Sequence, residues 1–179
     1  MERQLAAFLR KKRGDMTFFD HAAALADIHG VEVYHETHRS RALFCLPATM
    51  EILAARPKLK LVADFSHWCC VHETLLADQP ERLERAMHNA HAIHGRIGFP
   101  EGPQIPDPRN PIWQPTMDVF LSWWKRIAEL RRAEGCVMLP VTPEFGPAPY
   151  MTVLPHTHKP IADLWEVNCF MRDWLQQSL

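Results

Sequence analysis

Apolar and polar positions follow two rhythms along this chain, and the two take turns. Short runs rich in Val, Ile and Leu lie at 31–36, 59–65, 92–98 and 136–142, the pattern of pleated, half-buried strands. Helical spacing fills the intervals. Pro47 fits the first turn of a helix reaching Ala55, and Pro57 stops it. A helical stretch is predicted over 70–77, and another from Pro80 to about Asn89. Residues 117–133 place Val119, Phe120, Trp123, Trp124, Ile127 and Leu130 on one helix face, with Gly135 beyond its end. A last helix over 160–177 is expected to bury Ile161, Leu164, Trp165, Phe170, Met171 and Trp174. Upstream, the apolar residues 5–9 and the basic run 10–13 read as a helix tail broken at Gly14-Asp15. Thr17 with Asp20 then reads as a capping box opening an Ala-rich helix through about Ile28, closed by Gly30. A leading helix followed by four strand–helix units predicts an α/β fold, a parallel sheet with outer helices, in one domain over 1–179. The Pro- and Gly-rich loop 99–115 is long enough to expect a functional role.

Composition narrows the function more than the fold. The 179 residues can bury a real core. A formal charge of -1 offers no basic excess for nucleic acid phosphates. No apolar run approaches a membrane span, and the start Met1-Glu2-Arg3-Gln4 lacks the apolar core of a secretory signal. The five cysteines form no C-x-x-C pair and are odd in number. They read as free thiols, small hydrophobes in a reducing cytoplasm. Eleven histidines raise the expectation of a metal or acid–base site. His21, His29, His72 and His88 lack acidic or ligand-type neighbours and read as structural or solvated.

The chemistry gathers where the strands end. The run Leu59-Lys60-Leu61-Val62-Ala63-Asp64-Phe65-Ser66-His67-Trp68 passes from an apolar strand to an acid, a hydroxyl, an imidazole and an indole. Parallel α/β folds place ionisable groups at C-terminal strand ends in this way. Each of the four strands carries one such group: Glu36, Asp64, His94 and Glu144, separated by 28, 30 and 50 residues. The first two separations match one strand–helix unit of a barrel, and the loop at 99–115 lengthens the third. Two Glu, one Asp and one His suit a hard or borderline divalent ion such as Mn²⁺, Mg²⁺, Co²⁺ or Zn²⁺. Such an ion can bind neighbouring oxygens of a hydroxy-ketone and stabilise an enediolate, with either glutamate moving a proton at carbon. Taken singly, Asp64 also reads as a helix N-cap, His94 as a core histidine and Glu36 as a loop acid. Glu144, between Pro143 and Phe145-Gly146-Pro147, has the most rigid setting.

Five ordered motifs carry a resemblance running from about residue 17 to the C-terminus. They are His35-Glu36-Thr37-His38-Arg39, Asp64-x-Ser66-His67-Trp68, His94-Gly95-Arg96-Ile97-Gly98, Gly102-Pro103-Gln104-Ile105-Pro106-Asp107-Pro108-Arg109 and Thr142-Pro143-Glu144-Phe145-Gly146-Pro147. Together they resemble the xylose-isomerase-like TIM-barrel superfamily, and more narrowly its sugar phosphate isomerase/epimerase-like proteins. The resemblance implies one divalent ion held by Glu36, Asp64, His94 and Glu144. It makes Glu36 and Glu144 the acid–base pair and His67 and Arg96 substrate contacts. Relatives often carry His-x-His-x-Arg on the third strand. Here Ala92 takes the first place and His91 is displaced by one, so His91 points to the other face.

Length sets the second departure. A whole barrel needs roughly 200 residues or more, so the expectation is a partial barrel, its C-terminal half, with about four parallel strands. Such a sheet has two unpaired edges to hide, by homo-oligomerisation or by pairing with an N-terminal half. The implied function is a metal-dependent isomerase or epimerase of a sugar, sugar phosphate or related hydroxy-ketone. The alternative is a non-catalytic half-barrel that binds a divalent metal or a partner subunit. An abasic-site endonuclease of the same superfamily would need more His and Asp ligands and a basic groove. Arg39, Arg96 and Arg109 are candidates for a phosphate or carboxylate, against the simpler reading of surface arginines.

Overall fold

Every link between successive strands carries a helix, and that alternation sets the architecture. The computed structural model describes the backbone of residues 2–179 and side chains from Thr17 onward. The order is α1 (Glu2–His29), β1 (His35–Glu36), α2 (Leu46–Ala55), β2 (Leu61–Ala63), α3 (Ser66–His72), α4 (Pro80–Asn89), β3 (Ala90–His94), α5 (Gln114–Ala133), β4 (Val141–Thr142) and α6 (Leu164–Ser178). The four strands form one sheet in sequential order, parallel throughout. The fold is therefore α/β, a four-stranded parallel sheet with surrounding helices. No helix among the described residues is long and apolar enough to cross a membrane.

The core lies between the sheet and α2, α4 and α5. Leu61, Ala63 and Ile93 meet Leu83, Phe120, Trp124 and Ile127, all buried. Phe65 stacks on Trp68 at 4.8 Å, and Trp123 packs edge-on to Phe65. Pro80 opens α4 where a missing N–H costs nothing. Gly30 and Gly135, at φ +62° and +79°, follow the ends of α1 and α5.

Several elements depart from the pattern read in the sequence. α1 runs straight through Gly14-Asp15, so Thr17 and Asp20 do not open a helix. One interior glycine costs only about 1 kcal/mol, too little to break a helix of this length. Asp20 instead meets Arg56, at 2.8 and 2.6 Å. The side chains of the basic run 10–13 lie outside the described residues. The strands are shorter than predicted, most of all at the edges. β1 and β4 each have one neighbour, and the segments before them lack ladder partners, leaving Val31, Val33, Val137 and Met138 exposed. Helix α3 begins at Ser66 rather than at 70, and ends at Glu73 in a left-handed conformation. On α6 the buried stripe is Val167, Met171 and Leu175, while Trp165 is 77% exposed.

Two glycines bring the strand ends together. A Cβ on Gly98 would lie 2.7 Å from the Ser66 carbonyl oxygen and 2.8 Å from its Cα. A Cβ on Gly95 would press on Leu175 at 2.8 Å. The segment after β3 can thus lie directly against the start of α3.

Candidate metal centre

Asp64 is positioned from three sides. Thr37, fully buried just past β1, accepts a hydrogen bond from the Asp64 backbone N–H at 2.9 Å and donates its own N–H to Val62 O. Ser66 Oγ donates to one Asp64 oxygen and Arg96 to the other. The carboxylate is fully buried, and burial raises its pKa to about 6, opposed by Arg96 and Ser66.

His94, at the end of β3, is the meeting point. Its Nδ1 lies 3.4 Å from Glu36 Oε1 and 3.9 Å from Asp64 Oδ2, and it pairs with Glu144 Oε2. The four residues each bring a ligand atom within 4.8 Å of the others. Three of the four side chains remain partly open to solvent, and only Asp64 is sealed. Burial works against a charged His94 ring, but Glu144 and Glu36 overcome it and lift the pKa to about 9. Burial likewise pushes Glu36 upward, yet His94, His38 and Arg41 bring it below its ordinary value.

The residues present fit a divalent cation. Three carboxylates against one guanidinium leave two net negative charges once His94 gives up its proton. The buried atoms His94 Nδ1 and Glu144 Oε2 have no hydrogen-bond partner of proper geometry among the described residues. An ion would satisfy both, as buried polar atoms require. The donor set of oxygen and one imidazole nitrogen admits several hard or borderline metals.

Arg96 and His67, expected as substrate contacts, sit behind this cluster. Arg96 is 4% exposed, and its contacts are Asp64, His67 Nε2 at 2.8 Å and Ser66, with Tyr150 stacked 4.7 Å from its guanidinium. An arginine can only donate, so His67 Nε2 accepts and the ring proton sits on Nδ1. That buried N–H has no partner among the described residues. Burial, with Arg96 beside it, drops the His67 pKa to about 3, so the ring stays neutral.

His38 and Tyr150 are neighbours of the site that sequence reasoning missed. Glu36, His38 and His67 also bring ligand atoms within 4.8 Å of one another. The His38 and His67 rings lie 3.9 Å apart. With Arg96 donating into His67 Nε2 and the ring proton on Nδ1, His67 has no lone pair free for a cation there. Ordinary loop chemistry hid His38, whose Nδ1 accepts from Ser40. Tyr150 lies in a Pro-rich loop with no periodic signal.

Other residues resolve plainly. His91 contacts Arg131 of α5 and the Tyr34 ring, away from the four ligands. His72 accepts the Leu46 N–H at 3.1 Å at the start of α2, a structural role. Arg109 is engaged by Asp107 and Glu166. Arg39 meets Cys70 Sγ and the Tyr150 ring. All five cysteines are free thiols, with Cys69 buried and Cys136 exposed. A cavity of about 510 Å³ lies between α1 and the segments leading into β1 and β2, on the N-terminal side of the strands.

Fold and site together define an α/β protein with a residue group able to hold a metal ion. No protein-family model matches the chain, and comparison with curated proteins and with solved structures gives no match.

Proposed function

We propose that this chain is the C-terminal half of a xylose-isomerase-like barrel and acts as a metal-dependent isomerase or epimerase on a sugar, sugar phosphate or related hydroxy-ketone. One observation carries the reading: four ligand-type side chains, from four successive strand ends, come within 4.8 Å of one another. Glu36, Asp64, His94 and Glu144 would hold Mn²⁺, Mg²⁺, Co²⁺ or Zn²⁺. When bound, such an ion supplies charge stabilisation to two adjacent substrate oxygens.

The chain's own groups do the rest. Glu36 and Glu144 come from the two outermost strand ends and flank Asp64 and His94. One carboxylate takes the proton from the carbon bearing the hydroxyl, and the electron pair moves toward the carbonyl. For isomerisation the proton returns to the neighbouring carbon while the hydroxyl proton passes to the former carbonyl oxygen; for epimerisation the other carboxylate delivers a proton to the opposite face of the same carbon. Arg96 holds Asp64 in place, and the fully buried His67 accepts from Arg96 behind it.

Metal analysis of purified protein is the test. Wild type is expected to hold about one ion per chain, and Glu144→Gln or Asp64→Asn to lose it. Unchanged metal content in both variants ends the reading.

A second reading is a non-catalytic half-barrel that binds a metal or a partner subunit. The apolar residues exposed beside both edge strands favour it. Light scattering combined with a ketose panel separates the two: a monomer inert on every sugar supports the second.

A further inference from the structure

Glu144 sits at φ +58°, a left-handed conformation that a β-carbon disfavours. Something outside the residue must hold it there. The backbone of each of the next two residues is gripped by one side-chain amide. Asn168 of α6 accepts from the Phe145 N–H at 2.9 Å and donates to the Phe145 carbonyl at 3.0 Å. Gln104 accepts from the Gly146 N–H at 2.8 Å and donates to the Gly146 carbonyl at 3.2 Å. A primary amide carries one acceptor and two donors, so it can pair with a residue's backbone as a neighbouring strand would. β4 ends at Thr142, and these two amides take over where the ladder stops.

We infer that Gln104 and Asn168 are positioning residues for Glu144, two amide clamps that fix the turn aiming its carboxylate at His94. This rests on the metal reading above. Both clamps are themselves anchored. Gln104 is 5% exposed and precedes Ile105, whose N–H bonds Ile97 O at 2.8 Å and whose side chain is fully buried. Asn168 also donates to Leu164 O at 3.1 Å on its own helix. The loop between β3 and α5 therefore reaches across to the loop after β4, and its motif Gly102-Pro103-Gln104-Ile105-Pro106 acquires a role.

Mn²⁺ titration calorimetry of the full chain tests this, with circular dichroism as the measure of folding. Gln104→Met and Asn168→Leu conserve volume and remove both bonds of a clamp. Each is expected to weaken Mn²⁺ binding about tenfold, the scale of lost ligand-orienting contacts. Glu144→Gln, purified without its ion, keeps three ligands whose weakened binding is titrated at higher Mn²⁺, and in that background the same substitutions should change affinity by less than about twofold, since they act through Glu144. Equal losses in both backgrounds, or full affinity in the single variants, overturn the inference while wild-type binding preserves the metal reading. A wild type that binds no Mn²⁺ overturns both. Should Gln104→Met not fold, Gln104→Glu keeps the acceptor for Gly146 N–H and gives up the donor. It is expected to lose affinity, and unchanged binding overturns the clamp.

Discussion

At His94 a proton and a metal ion compete for the same nitrogen. The ring's ordinary value of 6.5 is lifted to about 9 by the carboxylates it faces, against the pull of burial. Ligation needs the neutral ring, so metal binding must displace that proton. Apparent affinity is expected to rise about tenfold per pH unit from neutrality to about pH 9, then level off. Without metal the stability trend is opposite. A raised folded-state pKa contributes stability fully below 6.5, and that contribution is lost as pH rises through 9. Metal-free protein should therefore melt lower at about pH 10 than at about pH 6. Paired thermal scans and titrations check both slopes, and a flat affinity over that range removes His94 from the ligand set. At this scale much of the candidate site was legible. Glu36, Asp64, His94 and Glu144 each end an apolar run, and the structure brings all four together. Tyr150 and His38 were not legible, because a loop residue's neighbours depend on contacts that no local period encodes.

Among the elements, the start of α3 governs how Asp64 is presented. Ser66 is the first residue of that helix, donates to Asp64, and is pressed by the backbone at Gly98. A methyl at position 98 meets backbone at 2.7–2.8 Å, which has little room to give. Gly98→Ala is expected to cost roughly 1–3 kcal/mol by overpacking and to weaken metal binding by displacing Ser66. Chemical denaturation and metal titration measure the two effects, and normal values for both would show that the contact relaxes freely. Helices with strong punctuation were well placed from sequence: Pro80 opens α4 and Gly135 follows α5. The start of α3 was misplaced because strand and helix join through Phe65 with no breaker between them. Its consequence is chemical: His67 belongs to a helix's first turn rather than to a strand end.

For the whole molecule the question is what covers the sheet's two outer edges. β1 and β4 are two residues long, and the segments before them expose Val31, Val33, Val137 and Met138. Native proteins protect such edges by pairing, covering or charge. Self-association is expected above the 20.7 kDa of one chain, weakened by Val137→Glu with Met138→Glu. Light scattering of both proteins checks this, and a wild-type monomer at working concentration refutes it. Parallel strands alternating with helices, and two edges in need of cover, were legible because period and order agree; what covers those edges was not, since it depends on what lies beyond the last strand.

Because the strands lie side by side in chain order, each contributing one donor, an ion at their rim would act as a fastener drawn across the whole sheet. It would tie position 36 to position 144, closing most of the polypeptide into a single ring. Occupancy and folding would then be one equilibrium, with the earliest strand and the latest released only when the metal leaves.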